Sequence, residues 1–552
     1  MHNIRTFGAT GDGKTLDTNA INAAIRAAHE TGGGTVLFPP GAYLSFSLRL
    51  FSNITLHLQS GATLLAAGDP PPSHEDILAM LTPDGILPGG GTGDSGSFYA
   101  GDTFGQENSA PPAHTDSPKK TAPSFAQAFS SKSNSTGTHA ESYDPPEPNP
   151  HDKYQDHGHS HWHNSLIHGE HLSNIAITGP GTIDGRGLTW NADPANPTGN
   201  KAIALKRCTN VTLRDFTLFR AGHFALLATG CNLLTIDNLK VDTNRDGLDI
   251  DSCQHVSISN CFVNSPNDDA IVLKSSYALG EPRPTAHVTI TNCHLSGYDM
   301  GSLLDGSKRT TQKIAPDKGG VTGRIKFGTE SNGGFQNIAI SNCSFSHCRG
   351  IALETVDGGP LEDIAISNIT MRDVTSAPLF VRLGNRARGP AHLPVSVARR
   401  ISFTNISACD AEPRFASLFS GIPGHYIEDL RLSNISLHYK GGGAKHDAQR
   451  TPPENEKGYP DPVMFGVIPS YGLYFRHVKN LHLSNISLSF ATPDHRPPIH
   501  LHDIHTATLD NITAERLPAI PFLICNTVTA LTLRHCATLP DTHHPNLPNA
   551  AL

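Results

Sequence analysis

At 552 residues the chain is too long for one compact globule unless the fold is an elongated repeat. Its net charge of −8 excludes a polyanion-wrapping nucleic-acid binder, and a 37% hydrophobic content leaves enough apolar residues for a thin, continuous core. No apolar run is long enough to span a bilayer, and Met1-His2-Asn3-Ile4-Arg5 has no signal-peptide core.

The opening Phe7–Gly13 reads as a loop. Asp17-Thr18 can cap a helix with Ile21, Ala24, Ile25 and Ala28 on one face. Gly32-Gly33-Gly34 ends that helix, and Thr35–Phe38 is a strand closed by Pro39-Pro40-Gly41. These elements and the first coils make up residues 1–68. Residues 69–160 break the pattern: rich in Pro, Gly, Ser and His, they are expected to be a flexible insertion. It ends in the cluster His157–His163, read as a polar loop, as a metal site or as a lid presenting His and Trp to a sugar. The cluster has no fixed ligand spacing, so no metal is assigned to it.

From Asn53 onward a short alternating strand recurs, with starts at Asn174, Asn210, Leu233, His255, His287, Asn337, Asp363, Arg400, Asp429, Asn480, Thr506 and Ala530. Most starts are followed five positions on by a polar residue, such as Asp215, Asn238, Asn260, Asn292 and Asn342. The closest starts lie 22 to 24 residues apart, and longer gaps hold insertions. Such a period with recurrent Asn predicts an all-β solenoid, a parallel β-helix over 161–540, in which stacked coils bury one another's inner faces. An open leucine-rich horseshoe lacks its LxxLxLxxN pattern. The ten cysteines, several following a repeat Asn as in Asn260-Cys261, are expected to be buried small side chains rather than a disulfide framework. The tail, 541–552, is expected to fray.

Carboxylates crowd in Asn244-Arg245-Asp246-Gly247-Leu248-Asp249-Ile250-Asp251 and in Asn267-Asp268-Asp269. Crowded like charges are costly and point to a task. Asp246 lies 13 residues after Leu233, and Asp268 lies 13 after His255, so the two are expected to stack on neighbouring coils. Asp269 can share their face only if the backbone bends there. Such a group suits glycoside hydrolysis, in which one carboxyl protonates the leaving oxygen and another activates water or attacks.

These two stretches resemble the polygalacturonase-like glycoside hydrolases of family 28. The opening segment Phe7–Gly41, with its helix, also resembles the entry of pectin-degrading β-helix proteins, where such a helix covers the open end of the coil. The resemblance spans most of the chain outside the long insertion. It implies a right-handed, pectin-lyase-like parallel β-helix, inverting hydrolysis of galacturonan or rhamnogalacturonan type substrates, no cofactor and no metal. It assigns Asp268 as general acid, with Asp246 and Asp269 activating water, and it implies a periplasmic or secreted protein.

The chain departs from the family pattern in its substrate-reading residues. No Gly-His-Gly follows Asn292-Cys293, which leaves His223 and the His157–His163 cluster as candidates for that histidine's role. Arg324-Ile325-Lys326 matches a family triplet but falls one coil early, and Ala352-Leu353-Glu354 stands where the family has it. In one register, Asp251, Lys274 and Glu354 share a column that Arg382 extends, and Asp246, Asp269 and Arg349 share another. The substrate-binding candidates are therefore His223, Lys274, Arg324, Lys326, Arg349, Glu354 and Arg382. Glu354 in place of a lysine suggests a subsite for a neutral sugar. The insertions at 69–156 and 303–322 suggest action on chain ends. The expected partner is a pectic carbohydrate, with no nucleic acid or membrane. Two other readings stand beside this one: a pectate-lyase-like or epimerase β-helix holding Ca²⁺, and a non-catalytic sugar-binding β-helix.

Overall fold

A computed structural model describes residues 1–68, 142–156, 158–189, 199–317 and 319–552. Most of the insertion expected to be flexible, 69–141, lies outside the described residues. The rest is a right-handed parallel β-helix whose strands belong to one continuous sheet. Each coil contributes strands to three faces. One face runs through Lys201–Lys206, Phe224–Thr229, Leu248–Asp251, Ile271–Ser275, Ile325–Ser331 and Ile351–Thr355, paired in parallel. This is the face that carries the carboxylates. The inner positions of the coils, such as Leu248, Ile250, Ile271, Leu273, Ile325 and Phe327, join one apolar core along the axis.

The recurrent Asn positions explain the corners. Every repeat start from Asn53 to Ala530, and the polar residue five positions on, has a positive φ. Asparagine tolerates this left-handed conformation better than most residues, so single residues turn the chain at each corner. The corner side chains also pair from coil to coil. Asn368 donates to Asn342 at 3.1 Å, Asn405 to Asn368 at 3.0 Å, Asn434 to Asn405 at 2.9 Å and Asn485 to Asn434 at 2.9 Å.

The helix Thr18–Glu30 buries Ile21, Ala24, Ile25 and Ala28, as its spacing predicts. Asp17 does not cap it through its side chain. Its carboxylate instead clasps the preceding loop, accepting from Thr10 N at 2.7 Å and Gly11 N at 3.1 Å. The tail does not fray: Thr542–Ala551 pairs antiparallel with Leu523–Arg534 and covers an edge of the last coil. All ten cysteines are free thiols, nine of them buried. Among the described residues, no helix is long and apolar enough to cross a membrane.

Candidate active site

The outward positions of the carboxylate face form a column that can be read coil by coil. It runs Ala204, Leu227, Asp249, Val272, Lys326, Ala352, Phe380, Leu418, Tyr474. The apolar stretches at both ends are covered by irregular segments. Trp162, from the segment 142–163, packs on Ala204, Phe224, Leu227 and Ala278. Met464, Phe465 and Ile468, from the segment 442–472, pack with Ala352, Phe380, Leu418 and Tyr474. Asp249, Val272 and Lys326 mark the gap between the two coverings. Three coils span roughly 10 Å, and the carboxylates stand in this gap.

Oxygen atoms of Asp246, Asp268 and Asp269 lie within 4.8 Å of one another. The backbone bends through Pro266, Asn267 and Asp268, which meets the condition for two consecutive aspartates to share a face. Of the two stackings expected, the strand register that sets Asp246 with Asp269 holds, and the count of 13 that sets Asp246 with Asp268 does not. Leu248 pairs with Ile271, which sets Asp246 beside Asp269, and Asp269 N donates to Asp246 Oδ1 at 3.1 Å. Asp268 instead stacks on Arg245, whose Nη2 donates to Asp268 Oδ2 at 2.8 Å. The corner before Ile271 holds one residue more than the corner before Leu248, and that shifts the register by one.

Each carboxylate has a basic neighbour. Arg324 Nε donates to Asp269 Oδ1 at 2.6 Å, and Lys326 Nζ lies 3.6 Å from Asp269 Oδ2. Lys274 Nζ sits 3.9 Å from Asp246, 3.8 Å from Asp249 and 3.9 Å from Glu330. Three carboxylates would suit a hard cation by donor type. Two of their oxygens, Asp268 Oδ2 and Asp269 Oδ1, already accept from Arg245 and Arg324.

Protonation divides the group. Burial, reinforced by Asp249 and Asp268, pushes Asp246 well above the usual carboxylate range. Burial also pushes Asp249 up to about 7, against the pull of Lys274. Burial acts on Asp268 in the same sense, but Arg245, a hydrogen bond from Asp246 and Lys326 together outweigh it and hold Asp268 low. Asp268 is also the most accessible of the three, with 28% of its side chain exposed against 5% for Asp246.

The substrate-binding candidates separate. Lys274, Arg324 and Lys326 gather at the carboxylates. Arg324-Ile325-Lys326 does lie on the coil directly after Asp268-Asp269, yet both of its basic side chains reach Asp269. Glu354 is fully buried beside Lys326 Nζ at 3.7 Å, so it lines no sugar subsite and the neutral-sugar inference loses its basis. Arg349 is buried, with Nη1 on Asp461 at 2.9 Å and Nη2 on Asp317 at 2.7 Å. Arg382 is committed to the backbone carbonyls of Glu454, Asn455 and Gly421. His223 is fully buried against Phe224. The column from Lys274 to Glu354 is interrupted, because the strand Ile325–Ser331 shifts register after Phe327.

The family model described as Glycosyl hydrolases family 28 matches residues 151–455, more than half of the chain. The chain belongs to glycosyl hydrolases family 28. A second model, Rhamnogalacturonase A/epimerase, pectate lyase-like, matches residues 1–63. A probable polygalacturonase of Vitis vinifera is 23% identical over 78% of this chain and 73% of its own length. Alginate lyase 7 of Azotobacter vinelandii is 48% identical over 12% of this chain and 8% of its own length. The crystal structure of a hyperthermoactive exopolygalacturonase from Thermotoga maritima superposes with a TM-score of 0.54 at 14% identity, covering 100% of this chain and 94% of that one. That likeness speaks to the fold.

In this family 28 chain several groups at the site were not among the sequence candidates. Arg245 is one, lying directly before Asp246 in Asn244-Arg245-Asp246. Glu330 is another, in Phe327-Gly328-Thr329-Glu330. Of the histidine cluster, His159 reaches the site: its Nδ1 bonds Glu330 at 2.8 Å and lies 3.2 Å from Lys274 Nζ. Burial and Lys274 lower His159 to about 4, which leaves the imidazole neutral near pH 7. His161 and His163 turn to other partners, Glu147 and Glu170. Tyr459 and Asp461 also join the site, and no repeat position announces them.

Proposed function

We propose that this chain hydrolyses pectic poly- or oligosaccharides from their ends, with inversion. The observation that carries this reading is the trio Asp246, Asp268 and Asp269, with oxygens within 4.8 Å, set in a short polar gap of the carboxylate face. Asp268, the accessible member, protonates the leaving glycosidic oxygen. Asp246 and Asp269, side by side on neighbouring coils, hold and activate the water. The proton that Asp246 favours before substrate arrives is shared within the group, and a sugar oxygen beside Asp268 draws it there. Arg324 and Lys326 stand against Asp269, the base, and face the substrate's acidic groups. The coverings at Trp162 and Phe465 favour a substrate that enters by its end over one threaded through.

A lyase or epimerase reading draws on the match over residues 1–63, but that stretch ends well before the first site carboxylate, Asp246. The deciding experiment follows product release and viscosity together on homogalacturonan and rhamnogalacturonan. Release of single sugars or short ends with little early loss of viscosity supports the proposal. A rapid fall in viscosity overturns the exo assignment, and unsaturated, ultraviolet-absorbing products overturn hydrolysis.

A further inference from the structure

Tyr459 and Asp461 lie just past the family-matched stretch, which ends at residue 455, yet both reach the carboxylate group. Asp461 Oδ2 accepts from Arg324 Nη1 at 3.2 Å and from Arg349 Nη1 at 2.9 Å. The Tyr459 hydroxyl accepts from Lys326 Nζ at 3.0 Å, and that ammonium lies 5.1 Å from the ring centroid. Lys326 in turn stands 3.6 Å from Asp269. The tyrosine therefore touches a cation that touches a site carboxylate, and 46% of Tyr459 remains open to solvent. A single exposed aromatic residue is ordinary on a protein surface. This one is held at the rim of the polar gap by a dedicated anchor.

The anchor is a pair of buried arginines on the carboxylate face. Arg382 Nη2 donates to Glu454 O at 2.7 Å and Asn455 O at 3.2 Å. Arg476 donates to Pro452 O at 2.8 Å and Pro453 O at 2.9 Å. Four consecutive carbonyls, 452–455, are thus fixed to the β-helix immediately before Tyr459. Both guanidiniums also lie over the Phe465 ring, at 5.2 and 5.4 Å, on the other side of Tyr459 in sequence. Arg476 also pairs with Glu454 Oε1 at 3.2 Å, whereas Arg382 is a buried cation spent on carbonyls and a hydroxyl, which is costly unless the placement it secures has a use. A tyrosine ring is a rigid, amphipathic surface suited to the apolar face of a pyranose.

We propose that Tyr459 is a sugar-binding residue, presenting its ring at the rim of the site while its hydroxyl orients Lys326. In the same proposal Arg382 and Arg476 are positioning residues that act through it. The inference rests on the hydrolase reading above and names a recognition surface for it.

The test uses the full chain with oligogalacturonides and rhamnogalacturonan oligosaccharides of defined length. Tyr459→Ala is expected to raise KM about tenfold, more than it lowers kcat, as loss of binding shared by ground and transition states predicts. Tyr459→Phe, which keeps the ring, is expected to restore KM to within about threefold of the parent. Unchanged KM in Tyr459→Ala overturns the proposal, and so does a Tyr459→Phe variant as impaired as Tyr459→Ala. Arg382→Gln is expected to raise KM similarly, and the double variant Arg382→Gln/Tyr459→Ala to be no worse than Tyr459→Ala alone. Additive losses overturn the positioning role. Should Arg382→Gln not fold, Arg476→Lys keeps the charge, loses the paired donors, and is read in the same way. If the parent protein cleaves none of these sugars, the hydrolase reading fails. Calorimetric titration of the same oligosaccharides then still decides for Tyr459: weaker binding by Tyr459→Ala upholds it, and equal or absent binding in both proteins overturns it.

Discussion

Arg245 reaches from one coil to the next and donates to Asp268 Oδ2 at 2.8 Å. The most accessible carboxylate of the trio is thus held by a cation from the segment that supplies Asp246. A general acid must keep its proton, and a neighbouring guanidinium works against that. Arg245→Gln is therefore expected to raise the acid's pKa and move the alkaline limb of the kcat/KM profile up by about one pH unit. An alkaline limb that stays in place or moves down contradicts the role given to Asp268.

Removing the carboxylates one at a time separates chemistry from scaffold. Asp268→Asn, Asp246→Asn and Asp269→Asn are each expected to lower kcat by about 10²- to 10⁴-fold, the range for loss of general acid–base help. Asp184→Asn serves as the control, because Asp184 pairs with Arg220 away from the trio. Its activity should match the parent. An Asp268→Asn enzyme retaining a tenth or more of parental kcat is the result that removes this residue from the chemistry.

The stereochemistry of hydrolysis is open to a direct measurement. Inverting pairs usually stand about 6.5–9.5 Å apart and retaining pairs about 5–5.5 Å. The oxygens here lie within 4.8 Å, so inversion relies on a water seated by the adjacent Asp246 and Asp269 instead of in a gap between facing carboxyls. Proton NMR during early turnover should show the product anomer opposite to that of the substrate bond. First-formed product with the substrate's own anomeric configuration would assign one of these aspartates as a nucleophile.

Glu354 gives a stability prediction. Burial raises its pKa to about 7 even with Lys326 and Arg324 nearby. A group whose folded pKa is raised favours the fold at low pH, and that contribution is lost as the pH climbs from about 4.5 through about 7. Glu354→Gln keeps the shape and cannot ionise. Thermal melts should show the variant gaining on the parent between pH 5 and 8, by on the order of 2–3 kcal/mol at the upper end. A constant difference in Tm across that range means that Glu354 does not titrate in the folded protein.

The solenoid was legible in the sequence because its corners repeat a backbone demand that few side chains meet. The Asn at 342, 368, 405 and 434 advertise a left-handed turn wherever they recur. The carboxylates were legible too, since crowded acids are conspicuous in any chain. The strand register set Asp246 with Asp269 correctly, while the count of 13 was one residue out, because it began at a strand on another face and passed the longer corner before Ile271. That extra residue belongs to the bend that lets Asp268 and Asp269 share a face. His159 was legible only as one of a candidate cluster, and Tyr459 was hidden, for another reason. Each reaches the site from an irregular segment, with Tyr459 meeting Lys326 across 133 residues of sequence. No local pattern fixes such a meeting; buried anchors elsewhere do.

The paired asparagines at the corners also govern how this architecture can change. They run like a keel along an edge away from the carboxylates and fix the pitch of the coil without help from the segments that cover the carboxylate face. Coverings such as 142–163 and 442–472 can therefore lengthen, shrink or be exchanged while the hull keeps its line. Descent within such a lineage can retain the trio of acids and refit the walls around it for a different sugar.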